Sequence, residues 1–73
     1  MKRLTRQQRE ALERLAAAPE GLKEGAPSRG GVNAIVADSL HRMGFVTRHR
    51  TRFQYFRVRI TDAGGLALKA EAQ

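Results

Sequence analysis

With 73 residues and no cysteine, this chain can build one small hydrophobic core and cannot brace it with disulfides or thiolate-bound zinc. A second core would leave each half too short to be stable, so we expect a single domain over residues 1–73. A domain of this size has few residues to spare for the walls of a deep cleft. The sequence also lacks an apolar run of 18 residues, so we expect a soluble protein with no membrane partner.

The positive charge is concentrated in one segment. The chain carries 14 Lys and Arg against 7 Asp and Glu, a net charge of +7. Residues 39–61 hold six of the arginines and no acidic residue, which gives that segment a net charge of +6. Because an ordinary solvated surface mixes charges of both signs, this segment indicates a polyanionic partner.

Two segments have the apolar spacing of amphipathic helices. The first is predicted over 5–18, because Thr5 and Gln8 have the spacing of a capping box and Pro19 disfavours helix in the residue before it. The second is predicted over 31–43, and Gly44 provides its stop. The helical wheel of this second helix puts Val32, Val36, Leu40 and Met43 on the apolar side, Ile35 beside them, and Ala34, Ala37, Asp38 and His41 on the opposite side.

The segment between these helices, residues 19–31, holds two prolines and four glycines. This composition predicts a loop, with one short helical turn around 22–25. After the second helix, residues 45–48 and 53–60 are rich in aromatic and β-branched residues and predict a hairpin with 49–52 as its loop.

The second strand of this hairpin alternates between an apolar and a basic face. Its apolar face is expected to hold Phe56, Val58 and Ile60, and its basic face Tyr55, Arg57 and Arg59. Thr61 is predicted to cap a short third helix, and the tail 69–73 is predicted to fray.

Three segments, taken in this order, resemble the winged helix-turn-helix family of DNA-binding domains, including its MarR-like members. Residues 4–15 (LTRQQREALERL) are similar to the opening helix of many bacterial regulators. Residues 40–46 (LHRMGFV) are similar to the exit of a recognition helix, and residues 59–64 (RITDAG) to the junction between the wing and the last helix. The resemblance implies a small α+β winged helix of the bacterial or phage regulator type, with its middle helix truncated within 19–31.

The resemblance also implies a DNA-binding regulator of transcription, cytoplasmic and associated with the nucleoid. The helix at 31–43 would enter the major groove of double-stranded DNA, and the hairpin at 45–61 would lie on the backbone or in the minor groove as an arginine-rich wing. The residue types suggest an adenine contact for Asn33, thymine methyl contacts for Ala34 and Ala37, a phosphate contact for His41, and a base or backbone contact for Arg29. The predicted wing contacts are Arg48, Arg50, Arg52, Arg57 and Arg59.

Several alternatives stay open. Asp38 would repel phosphate and is expected to pair with Arg42 one turn later on the helix. The uncharged helix face could instead meet a protein, which would make the chain an adaptor for RNA polymerase or another transcription protein. Tyr55 lies among arginines and could stack on unpaired bases of RNA or single-stranded DNA. A module of this size covers few base pairs, so a homodimer formed through the first or last helix is also expected.

No group of residues indicates catalysis, a metal or a cofactor. The two histidines are His41 and His49, eight positions apart, and Asp38 stands one helical turn before His41 with no third ligand nearby. The Gly30-Gly31 pair precedes a helix but lacks the lysine and Ser/Thr of a P-loop. We therefore expect the protein not to be an enzyme.

Overall fold

The computed structural model of the chain describes residues 3–25, 27–53 and 55–71. In this part of the chain, three α-helices and a three-stranded antiparallel sheet form a small α+β fold. The helices are α1 (Arg6–Ala16), α2 (Ala34–Arg42) and α3 (Asp62–Glu71), and the strands are β1 (Leu22–Lys23), β2 (Val46–Arg50) and β3 (Phe56–Ile60).

The first helix begins at the predicted capping box. The hydroxyl of Thr5 accepts from the backbone N–H of Gln8, and the Gln8 side chain accepts from the N–H of Thr5. The helix ends two residues before the predicted boundary, with Ala17 as its C-cap. Its buried residues are Ala11, Leu12 and Leu15, which confirms the predicted apolar stripe.

The segment predicted as a loop contains a short strand. Leu22 and Lys23 pair with Val58 and Arg57 of β3, so the helical turn predicted at 22–25 is wrong. The pairing continues at Glu24, whose N–H donates to the carbonyl oxygen of Phe56. The helical turn lies instead at Pro27–Arg29, as a single turn of 3-10 helix.

The second helix begins three residues later than predicted. Asn33 is its N-cap, and the Asn33 side-chain oxygen accepts from the N–H groups of Ile35 and Val36. At the other end, Gly44 has a φ of 81°, and the N–H of Phe45 donates to the carbonyl oxygen of Leu40. This is the glycine-dependent helix stop that the sequence predicted.

The strand order is β1-β3-β2, so the strand before α2 pairs with the second strand of the hairpin. The hairpin loop runs over 51–55 rather than 49–52. Both the N–H and the hydroxyl of Thr51 donate to the carbonyl oxygen of Tyr55, and this closure keeps His49 and Arg50 within β2. Gln54, within this loop, lies outside the described residues.

The third helix begins where Thr61 predicted it. The Thr61 hydroxyl accepts from the N–H of Gly64 and donates to the carbonyl oxygen of Gly44, so one side chain connects α3 to the end of α2. The helix continues to Glu71. Residues 69–71 are therefore helical, and the fraying predicted for them is wrong. Residues 72 and 73 lie outside the described part of the chain.

The core lies between the helices and one face of the sheet. Its buried residues are Ala11, Leu12, Leu15, Val32, Ala37, Leu40, Val46 and Val58. Within the described residues, no helix is long and apolar enough to cross a membrane.

Candidate nucleic-acid interface

The strand register divides the arginines of the hairpin between the two faces of the sheet. Arg48 pairs with Val58 and Arg50 with Phe56, whereas His49 pairs with Arg57. Paired side chains in a sheet point to the same side, and Val58 points into the core. Arg48 therefore lies on the core-facing side of the sheet, and Arg50, two positions later on the same strand, shares that side. We call this the inner face. The opposite side, the outer face, carries Lys23, Thr47, His49, Tyr55, Arg57 and Arg59.

Arg48 is engaged within the protein. Its Nε lies 2.6 Å from Oε1 of Glu24, and its Nη2 donates to Oε2 of the same residue at 3.0 Å. Its Nη1 lies 3.6 Å from Oδ1 of Asp38 on α2, and the guanidinium carbon stands 4.8 Å from the ring centre of Phe56. The side chains of Arg48 and Glu24 are only 25% and 11% exposed, so Arg48 ties the sheet to α2 and is not free for the phosphate contact predicted from the sequence.

Two arginines are free at the far end of the hairpin. Arg50 follows Arg48 on the inner face and is exposed, and Arg52 is exposed in the loop. Neither forms an ion pair with a carboxylate among the described residues. The Thr51 hydroxyl accepts from the N–H of Phe53, so one hydrogen bond joins the two residues on either side of Arg52.

The exposed side of α2 includes Ala34 and His41, as predicted, and differs from the prediction at Ala37 and Ile35. Ala37 is fully buried in the core, so its predicted contact with a thymine methyl is wrong. Ile35, which the helical wheel placed beside the apolar stripe, is 81% exposed. The buried stripe therefore runs through Ala37 and Leu40, so the helix is rotated relative to the prediction.

Four residues of α2 are exposed together. They are Ala34, Ile35, His41 and Arg42. The predicted pairing of Arg42 with Asp38 is confirmed, with Arg42 Nε 3.1 Å from Asp38 Oδ2. Asp38 thus lies between two arginines, and its charge is offset on the surface where it would otherwise repel phosphate.

The predicted contacts at the start of α2 have different surroundings. Asn33 is exposed, but its amide oxygen serves the N-cap, which leaves the NH2 group as its open hydrogen-bonding group. Arg29 is exposed at the end of the 3-10 turn that precedes α2. The start of the helix therefore offers donors and no acidic group among 27–36.

Arg57 and Arg59, the remaining predicted wing contacts, lie on the outer face. Arg57 Nη1 donates to the carbonyl oxygens of Glu20 and Gly21, both at 3.4 Å, and Arg59 Nε donates to that of Glu20 at 3.2 Å. Since the helices cover the inner face, these two arginines point away from α2. The five wing arginines of the prediction therefore do not form one surface.

The sequence did not single out Ile35, Arg42 or Glu24 as part of this surface. The pairing of Arg42 with Asp38 was visible as an i, i+4 spacing. The partnership of Glu24 with Arg48 spans 24 positions and follows from the pairing of β1 with β3, for which the sequence has no local signal. In the described part of the chain, no three His, Cys, Asp or Glu residues come together as a metal site would require.

No family model, curated protein or solved structure is significantly similar to this chain.

Proposed function

We propose that this chain is a small winged-helix protein that binds double-stranded DNA and regulates transcription. In this proposal α2 is the recognition helix, the β2–β3 hairpin is the wing, and the 3-10 turn at Pro27–Arg29 replaces the middle helix. The strand order β1-β3-β2 supports the proposal, because it leaves β2 at the edge of the sheet, where β2 contacts α2.

The observation that carries the proposal is the connection of the hairpin to α2 through Arg48. The ion pairs of Arg48 with Glu24 and Asp38 hold the inner face of the hairpin beside the helix. The free cations Arg50 and Arg52 lie farther along the same hairpin. A duplex that receives α2 in its major groove would thus meet these arginines on its adjacent backbone.

Sequence preference in this proposal comes from the exposed residues at the beginning of α2. Ile35 and Ala34 offer apolar contact to thymine methyl groups, and the Asn33 NH2 group can donate to a base acceptor. Arg29 and Arg42 flank this surface and add phosphate contacts. One such module covers few base pairs, so specific binding requires a homodimer. Leu66 of α3, which is exposed, is a suitable contact for it.

Selection of bound sequences from a random duplex pool tests this function. The wild-type protein is expected to enrich one motif. The Ile35→Ala variant is expected to relax the preference at a thymine position, at a cost of about 1 kcal/mol in discrimination, while its affinity for non-specific duplex stays unchanged. Because Ile35 is 81% exposed, the substitution removes no core contact, and the melting temperature serves as the control. A pool that stays unenriched by the wild-type protein would contradict the regulator.

An adaptor that binds RNA polymerase or another transcription protein is the second candidate. The exposure of Ile35 beside Ala34 favours it, because an apolar patch on a helix also suits a protein partner. The adaptor predicts that Ile35→Ala abolishes capture of the polymerase while duplex binding stays weak and independent of sequence. The regulator predicts that Ile35→Ala relaxes the sequence preference of duplex binding and leaves capture of the polymerase unaffected. The same variant therefore separates the two candidates.

A further inference from the structure

The outer face of the sheet is a second cationic surface, separate from α2. Its cationic residues are Lys23, Arg57 and Arg59, with His49 beside them. Neither Arg57 nor Arg59 forms an ion pair with any carboxylate in the described part of the chain. The sheet lies between these residues and the inner face, so a duplex bound at α2 leaves them unused.

Main-chain carbonyl groups orient both arginines without neutralising them. The carbonyl oxygen of Glu20 accepts from both guanidinium groups, and that of Gly21 accepts from Arg57. Each guanidinium has five N–H donors. Arg59 uses one of them, so four stay available to an anion, and Arg57 keeps two after its contacts with Glu20, Gly21 and Tyr55. The outer face thus presents two positive side chains from alternate positions of β3, and both guanidinium groups meet at the carbonyl oxygen of Glu20.

Two aromatic rings continue this face toward the hairpin loop. Lys23 Nζ stands 5.1 Å from the ring centre of Tyr55, and Arg57 Nη2 donates to the Tyr55 hydroxyl. The ring of Phe53 stacks near-parallel to that of Tyr55, with 6.3 Å between ring centres and 14° between planes. Phe53 is 78% exposed, so its ring is open to a further flat group.

We propose that this outer face binds single-stranded nucleic acid. One unpaired base stacks on Phe53, which Tyr55 supports from within the protein, and the sugar-phosphate backbone follows β3 across Arg57 and Arg59. Cations in line with an exposed aromatic ring are the combination that binds single strands without a sequence preference. A duplex keeps its bases paired and stacked, so it cannot use the ring of Phe53. The inference rests on the outer face alone and does not require the duplex site at α2.

Binding of fluorescein-labelled dT15 and rU15 tests the proposal, and the two oligonucleotides distinguish DNA from RNA as the strand. Tyr55 is the one tyrosine of a chain without tryptophan, so its emission reports directly on this face. We expect either oligonucleotide to quench that emission. The Phe53→Ala variant is expected to weaken binding of the same oligonucleotide at least fivefold. The Ile35→Ala variant, which removes an exposed apolar side chain from the other surface, is the matched control and is expected to leave this binding unchanged.

A competition experiment separates this proposal from the duplex site. Unlabelled duplex added to the dT15 complex is expected to form a ternary complex, visible as a further rise in anisotropy without loss of quenching. One-for-one displacement, absence of oligonucleotide binding, or full affinity in Phe53→Ala would each overturn the outer-face proposal. Oligonucleotide binding without any duplex binding would leave the outer face supported and would contradict the proposed regulator instead.

Discussion

Replacing Arg50 and Arg52 together with alanine is expected to weaken binding to every duplex by roughly 100-fold. Each arginine loses one charge-assisted hydrogen bond to a phosphate, worth about 1.5 kcal/mol. Because phosphate contacts do not read bases, the loss should be similar for random and selected sequences. The slope of log affinity against log salt should also fall by about 1.8, since two fewer counterions are released. Mobility-shift titrations at several salt concentrations measure both quantities.

The matched control is the double variant Arg57→Gln and Arg59→Gln. It removes the same number of charges from the same hairpin, but from the outer face, and glutamine retains a donor for the carbonyl oxygens of Glu20 and Gly21. We expect it to weaken duplex binding less than tenfold, through the change in net charge alone. Equal losses in the two double variants would contradict the division of the hairpin into two faces.

Replacing Glu24 with glutamine is expected to lower the free energy of unfolding by about 2 kcal/mol. Removing one partner of a fully buried ion pair costs roughly 3–5 kcal/mol, because the other charge is left without compensation. The cost here is smaller because Arg48 is partly exposed and keeps Asp38 at 3.6 Å. For a domain of this size, 2 kcal/mol corresponds to a decrease of roughly 8–16 °C in the melting temperature.

Glu10→Gln provides the control for this stability measurement. It removes the same charge from an ion pair with Arg6 that is exposed on both sides, with 3.2 Å between Arg6 Nε and Glu10 Oε1. Pairs of this kind contribute about 0.5 kcal/mol or less, so the melting temperature should hardly change. A similar decrease in both variants would show that the contacts of Arg48 do not hold the hairpin against α2.

The elements that the sequence predicted well depend on neighbouring residues. The capping box of Thr5 and Gln8, the stop at Gly44 and the cap at Thr61 each join groups within six positions of one another. Their geometry follows from local backbone chemistry, and helix ends were placed to within three residues. The basic hairpin was equally visible, because its residue types favour strands over 56–60.

The features that the sequence did not reveal depend on distant parts of the chain. β1 is two residues long and exists because Leu22 and Lys23 pair with β3, more than 30 positions away. The burial of Ala37 and the exposure of Ile35 depend on how α2 is rotated against the rest of the core. A hydropathy pattern indicates this rotation poorly, because a small alanine contributes little to the pattern. The wrong loop boundary mattered less, because the alternation predicted along the second strand of the hairpin was correct.

The division of the arginines into two faces lies between these cases. Alternation along one strand is a local property, and it separated Arg57 and Arg59 from Val58 correctly. Which arginines of β2 share a face with those of β3 depends on the register across the hairpin, and that register follows from the closure of Thr51 on Tyr55. The five arginines that were predicted to form one wing are therefore divided between the inner face and the outer face, which have different neighbours.

A mobility-shift titration of the wild-type protein against random duplex, at salt concentrations rising from about 50 mM, tests the central claim most directly. The account predicts binding at about 50 mM salt and a linear fall of log affinity with log salt, with a slope near −3 to −4 for the contacts of Arg29, Arg42, Arg50 and Arg52. A protein with a net charge of +7 that binds no duplex at about 50 mM salt would contradict the account.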